Sequence, residues 1–199
     1  MDRSDGQVRL PLLLGMALAI QSLPALPGSG PQQGPHTRLE LHNPYASVAE
    51  GAELFLGVSF TMEQGWHIYW QNPGDSGMAP QFSLEGPLKL ERVDWPAPER
   101  YEMAGIVNYV YHEKVTLPLR VRSGDRSTKV SRLTVDYLVC KVECIPGEAT
   151  FLFSLPQDDR IVFREDRSAT HDRKTIERAL RELPRAQPPG GYLVSEMES

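Results

Sequence analysis

Cys140 and Cys144 are the only cysteines of the chain, four residues apart in Cys-Lys-Val-Glu-Cys at the end of an alternating strand pattern. A disulfide needs its Cα atoms about 4.4–6.8 Å apart, whereas four steps of extended chain span roughly 13 Å. Either the chain turns between the two residues or no bridge forms. A bridge this short closes a tiny ring, worth about 2 kcal/mol on the chain-entropy model against about 4.7 for a hundred-residue loop. It is a poor staple, and it is well placed as a reversible two-electron switch.

Three kinds of chemistry suit such a pair. Disulfide exchange requires an accessible thiolate and a nearby second thiol to resolve the mixed disulfide, and close spacing supplies the second thiol. Lys141 favours a thiolate and Glu143 opposes one. A structural disulfide locking a small loop is the second reading. A soft metal site is the third, with the thiolates joined by His67, His112, Met78 or Met103. No histidine lies at ligand spacing from the cysteines, and His67 and His112 read as surface or half-buried residues of an aromatic strand and a turn. No Ser/His/Asp spacing or carboxylate pair stands out. The Asn72–Gly77 run lacks the Lys-Ser/Thr ending of a phosphate loop and reads as a turn.

The elements that must hold the pair are strands. Leu54, Leu56, Val58, Phe60 and Met62 alternate with period two, as do Leu133, Val135, Tyr137 and Val139. Each marks a half-buried strand. Cys140 follows the second row and falls on the opposite face, and Trp66, Ile68 and Trp70 share a face that His67 and Tyr69 do not. Further strands are expected over 37–42, 82–84, 88–95 and 149–155. Residues 106–111 and 115–121 are expected to form a hairpin turning at His112-Glu113-Lys114. Glu99 to Gly105 reads as an irregular loop and Pro31 to Pro35 as a linker. About nine short strands with turn signals between them imply an all-β, immunoglobulin-like antiparallel β-sandwich. A short C-terminal helix and tail follow, with Asp172 as the cap and Ile176, Leu180 and Leu183 along one face.

The 199-residue chain has 40% hydrophobic and 24% charged residues, 17 prolines, 16 glycines and a net charge of -5. With no basic stripe, a nucleic-acid partner is not expected. Arg3 and Arg9 flank the apolar run Leu10–Ile20, and small or helix-breaking residues follow from Ser22 to Gly30. That is the layout of a secretory signal peptide, and export would put the cysteines where disulfides persist. The organisation expected is 1–30 signal peptide and linker, 31–156 immunoglobulin-like redox domain, and 157–199 helical linker or tail, the start of a second domain.

Four segments carry a family resemblance. They are Gly65-Trp66-His67-Ile68-Tyr69-Trp70-Gln71-Asn72-Pro73-Gly74-Asp75-Ser76-Gly77, Trp95-Pro96-Ala97-Pro98-Glu99-Arg100-Tyr101, Asn108-Tyr109-Val110-Tyr111 with Val115-Thr116-Leu117-Pro118, and Asp136-Tyr137-Leu138-Val139-Cys140-Lys141-Val142-Glu143-Cys144-Ile145-Pro146-Gly147. In this order they resemble the N-terminal periplasmic domain of the DsbD thiol:disulfide interchange proteins, and more closely the ScsB-type branch linked to copper tolerance. The resemblance implies a component of a protein-disulfide reductase in the periplasm. Its electron donor would be a thioredoxin-like domain or a membrane electron-transfer module, and its acceptors oxidised periplasmic thiol proteins. No cofactor and no metal are implied at the site. By position, Cys144 corresponds to the cysteine that forms the mixed disulfide and Cys140 to the resolving one. Glu99 to Gly105 corresponds to a cap loop, with Glu102 in the acidic role and Tyr101 or Met103 shielding. Tyr69 matches an aromatic beside the cysteines.

The cysteines are closer together here than in the best-known members, and the chain carries no membrane module and no thioredoxin-like Cys-x-x-Cys. Two alternatives stand beside exchange. One is a module binding copper or another soft metal for metal tolerance, and the other is an interaction domain with a purely structural disulfide.

Overall fold

The alternating rows of apolar residues become the facing surfaces of two antiparallel sheets. The computed structural model describes residues 30–124 and 130–184. The expected signal peptide up to residue 29 and the chain beyond Pro184 lie outside the described residues. In chain order the elements are β1 (Gln32–Gly34), β2 (Thr37–His42), β3 (Tyr45–Ala49), β4 (Glu53–Met62), β5 (His67–Gly74), β6 (Gln81–Glu85) and β7 (Leu88–Val93). They continue with β8 (Glu99–Met103), β9 (Ile106–His112), β10 (Lys114–Ser123), β11 (Val130–Cys140), β12 (Cys144–Ser154), β13 (Gln157–Asp158), β14 (Val162–Phe163) and α1 (Arg167–Arg181).

One sheet runs β1-β2-β4-β10-β7. The other runs β12-β11-β5-β9-β8, with β6 pairing along the lower part of β11. Leu54, Leu56, Val58 and Phe60 of β4 and Leu117, Leu119 and Val121 of β10 meet Leu133, Val135, Tyr137 and Phe151 of the opposite sheet in one buried core. Complete burial of each such side chain is worth about 1.5–3 kcal/mol. The result is the expected all-β sandwich of immunoglobulin-like architecture with a short helix after it.

Several local expectations are corrected. Residues 106–111 and 115–121 do not form a hairpin: β9 pairs with β5 and β8, while β10 pairs with β4 and β7. Glu113, at φ 55°, turns the chain from one sheet to the other. Alternation identifies a half-buried strand and is silent on its neighbour, so strands adjacent in sequence need not pair. Residues 99–103 form β8 rather than an irregular loop, and Gln32–Gly34 pairs with β2 rather than serving as a linker.

The helix begins earlier than expected. Asp166 is its cap, its Oδ1 accepting from the Ala169 N–H at 2.8 Å. Asp172 instead lies inside the helix, on a buried row with Ala169, Ile176 and Ala179. That row packs on the outer face of the sheet containing β2, β4 and β10, where Gly57 leaves room for Ile176. The short strands β13 and β14 pair with β3 on its two sides.

Candidate functional site

The long hairpin β11–β12 keeps a strict register from Val130 opposite Ser154 to Cys140 opposite Cys144, with Lys141, Val142 and Glu143 as its tip. The turn that a Cys140–Cys144 bridge requires is therefore a hairpin end. The two residues are bonded, with Cα atoms 4.2 Å apart. They are not equivalent. Cys140 is 3% exposed and packs against Tyr69 and Val110, with Leu138 and Tyr101 at the margin. Cys144, at the start of the returning strand, is exposed, beside a tip whose Val142 is 89% exposed. The alternation of β11 explains the split, since Tyr137 and Val139 face the sandwich core and Cys140 faces outward under cover of β5, β9 and β8.

A recess of about 160 Å³ adjoins the disulfide. His67, Tyr69, Tyr101 and Met103 line it with the two cysteines. Tyr69 is buried, with its hydroxyl 3.6 Å from Cys144 Sγ. Burial holds that hydroxyl above the ordinary tyrosine pKa, a contact with Ser76 partly opposing it. It is therefore an uncharged phenol at neutral pH. Its ring lies on Gly77, where a Cβ would fall 2.2 Å from ring carbons. The turn carrying Gly77 is fastened to β9: Ser76 N–H donates to Asn108 Oδ1 at 3.0 Å, and Val107 N–H donates to Asp75 Oδ2 at 2.8 Å.

His67 stands opposite Cys140 in the β5–β11 pairing. It is 3% exposed, surrounded by the rings of Tyr101 at 5.1 Å and of His112 and Tyr69 at 5.4 Å. Burial, and secondarily the charge of His112, push its pKa down to about 4. The ring is neutral at physiological pH, and its buried Nδ1 has no hydrogen-bond partner among the described residues. An unsatisfied buried group costs about 1–3 kcal/mol. The sequence reading of His67 as a surface or half-buried residue is corrected. The signal for its burial lay in the shared face with Tyr69, and nothing in the sequence revealed that Cys140 lies across from it.

β8 and β9 form the wall over the recess. Their connection is the pair Ala104 and Gly105, at φ 53° and 82°. Two central residues with positive φ make the hairpin turn whose twist suits its strands. Tyr101 and Met103 share the inner side, the Tyr101 hydroxyl donating to Met103 Sδ at 3.5 Å. Glu102 falls on the other side and pairs with Arg100 at 2.8 Å. The structure thus brings Tyr69, Tyr101 and Met103 together with Cys140 and Cys144 and leaves Glu102 outside the recess. Ser76, Ile106 and Asn108 also line it; Ser76 and Asn108 lie within the segments of family resemblance without a site role there, and Ile106 carries no mark in the sequence. Among the described residues no three His, Cys, Asp or Glu side chains gather as a metal-holding group.

A second polar cluster lies under α1. Asp172 Oδ1 is 2.8 Å from His42 Nδ1, and His42 Nε2 is 2.8 Å from Ser59 Oγ. This has the order of a hydrolase triad, which sequence spacing did not suggest. Ser59 is only 1% exposed, and its hydroxyl is engaged by Thr116 at 2.7 Å. The neighbouring cleft of about 790 Å³ is lined by His42, Asp172 and Arg164 but not by Ser59. A nucleophile without access to substrate does no hydrolysis, so the cluster's work is to fasten α1 to the sandwich.

Known proteins bear on these features. The N-terminal periplasmic domain of ScsB from Proteus mirabilis is similar in structure, with a TM-score of 0.60 at 19% identity, covering 78% of this chain. The present chain spans 59% of that one. At this identity the likeness speaks for the fold. The N-terminal domain of Neisseria meningitidis DsbD in its reduced form also matches, at a TM-score of 0.38 and 16% identity over 56% of this chain and 82% of that one. No curated protein matches the sequence. The family model described as thiol:disulfide interchange protein DsbD, N-terminal, matches residues 40–156, which include the whole disulfide hairpin and its cover. With more than half its length so matched, the chain belongs to the family of DsbD N-terminal thiol:disulfide interchange domains.

Proposed function

We propose that the domain is a periplasmic carrier of reducing equivalents, loaded by a thioredoxin-like domain or membrane electron-transfer module and discharged onto oxidised periplasmic proteins. The observation that carries this reading is the inequality of the two sulfurs, with Cys144 exposed at a hairpin tip and Cys140 enclosed behind it. An exchange site needs one sulfur within reach of a partner and a second kept beside it. In the reduced domain the Cys144 thiolate attacks a client disulfide and one client sulfur leaves. Cys140 then attacks Cys144 Sγ, the Cys144–client bond breaks, and the second client sulfur departs with the electron pair. The client gains two electrons and the pair returns to a disulfide.

Tyr101 and Met103, on the β8–β9 hairpin, serve as the cover that shields the bond until a partner displaces it. Glu102, outside the recess, faces an approaching partner. Residues 31–156 form the exchange domain in this reading, and residues 1–30 direct export.

Titration of the pair against glutathione tests the proposal. An exchange carrier is expected between about -180 and -270 mV, and a value well below about -300 mV would mark a structural disulfide. A Cys140→Ala variant is expected to accumulate mixed disulfides through Cys144, and a Cys144→Ala variant is not. Equal trapping by both would refute the assignment of roles.

A further inference from the structure

Closing and opening the Cys140–Cys144 bond moves a proton as well as electrons. When the pair is reduced, Cys140 carries a sulfhydryl inside the fold, and when it attacks Cys144 that proton must leave a sulfur that is almost wholly screened from solvent. Directly opposed residues on neighbouring strands have Cβ atoms about 4.5–5.5 Å apart, and the residue opposite Cys140 is His67. Both side chains line the same recess. Among the described residues of the oxidised domain the buried Nδ1 of His67 has no hydrogen-bond partner. A lone polar atom at a buried position asks for a reason. Reduction supplies one, because it creates a sulfhydryl donor across from the ring.

We propose that His67 is the proton partner of Cys140: it accepts the hydrogen bond of the Cys140 sulfhydryl in the reduced domain and takes the proton as Cys140 closes on Cys144. The inference rests on the exchange reading above and adds to it a residue with a stated task. In the closing step the Cys140–Cys144 bond forms, the Cys144–client bond breaks, and the client sulfur keeps the electron pair. The proton passes from Cys140 to the ring of His67, which returns it to the departing thiolate or to water.

The surroundings suit that task. The groups around the ring are Tyr69 on its own strand, Tyr101 of β8, His112 of β9, and Cys140 with Lys141 of the hairpin. None is an anion, and the carboxylate of Glu99 is engaged with His112 at 3.1 Å. Burial and His112 keep the ring uncharged, which leaves a lone pair to accept the sulfhydryl and makes the ring a weak base until charge develops on Cys140. Thiolate character growing on Cys140 favours the protonated ring, since an opposite charge stabilises imidazolium.

An aromatic disulfide, dithiobis(nitrobenzoate), added in excess to the reduced full chain, separates the steps. The first thionitrobenzoate leaves in a bimolecular reaction at Cys144, and the second leaves when Cys140 closes. His67→Phe is expected to slow the second phase roughly 10–100-fold near neutrality, within the range of general base catalysis. Its rate should then climb about tenfold per pH unit, as the thiolate fraction of an unassisted thiol does. His67→Asn keeps an acceptor but cannot take a proton, and is expected to slow closure as well. In the unaltered chain, the ¹⁵N resonance of His67 Nδ1 should shift on reduction, which needs no variant to fold. Closure at the native rate in both variants, or an unmoved resonance, would overturn the proposal while native exchange stands. A native chain without a second phase would overturn the exchange reading, and this inference with it.

Discussion

Gly77→Ala is the substitution that most directly tests how the site is built. Gly77 sits at φ 87°, and an added Cβ would lie 2.2 Å from carbons of the Tyr69 ring. Carbon atoms pack at about 3.5–4.0 Å, so the ring must move by more than about 1 Å or the turn must shift. The turn is bound to Asn108 and Val107, which makes the ring the part that yields. Overpacking of this kind costs about 1–3 kcal/mol, and a left-handed backbone at a residue with a Cβ adds about 1–2. A loss of roughly 2–5 kcal/mol is expected in urea unfolding of the oxidised domain. The Tyr69 hydroxyl would leave Cys144, and dithiothreitol should reduce the bond faster. A double-mutant cycle isolates the steric part: with Tyr69→Ala already made, Gly77→Ala should cost only the backbone portion, leaving a coupling of about 1–3 kcal/mol. Additive effects, with unchanged reduction kinetics, would refute the argument that Tyr69 is held against the disulfide by this glycine.

Acid should weaken the oxidised domain through His67. Its folded pKa of about 4 lies below the ordinary 6.5, so between these values the unfolded chain binds a proton that the folded one does not. Stability is full above about pH 6.5 and falls as pH drops toward 4, by up to about 3 kcal/mol; His67→Phe should flatten that slope in urea midpoints measured across the window. Ala104→Asn at the β8–β9 turn, at φ 53°, places a residue suited to that conformation and is expected to raise stability by about 1 kcal/mol, and a lower urea midpoint would contradict it. Asp172→Ala leaves His42 and Arg164 without their shared acceptor, with an expected loss of about 1–3 kcal/mol and early tryptic cleavage within α1; native protease resistance would show that the cluster does not fasten the helix.

The legible parts of this protein are those set by short-range pattern. Period-two alternation in residues 53–62 and 130–139 marks strands with one buried face, because a strand's side chains alternate whatever it pairs with. The same rule put Cys140 opposite Tyr137 and Val139, and His67 with Tyr69. Cysteine spacing posed the choice between a turn and an open pair, and the order of four segments pointed to the family. Glu99–Gly105 was not legible as half of a hairpin, since a short strand with mixed burial has no clear period.

Pairing and burial lie beyond that reach. That β9 and β10 part into different sheets depends on which hydrogen-bonding edges are open, a property of the assembled chain. Asp172 has the composition of a cap, yet Asp166 takes that position, because the buried row of α1 must meet His42 and Gly57 across more than a hundred residues. His67 becomes a buried neutral ring because β11 ends against β5 and the rings of Tyr101 and His112 close over it. Residue types and local spacing therefore specify the cysteine pair and its strand, while the unequal exposure of its sulfurs and the ring opposite Cys140 arise from contacts between distant segments that local pattern does not encode.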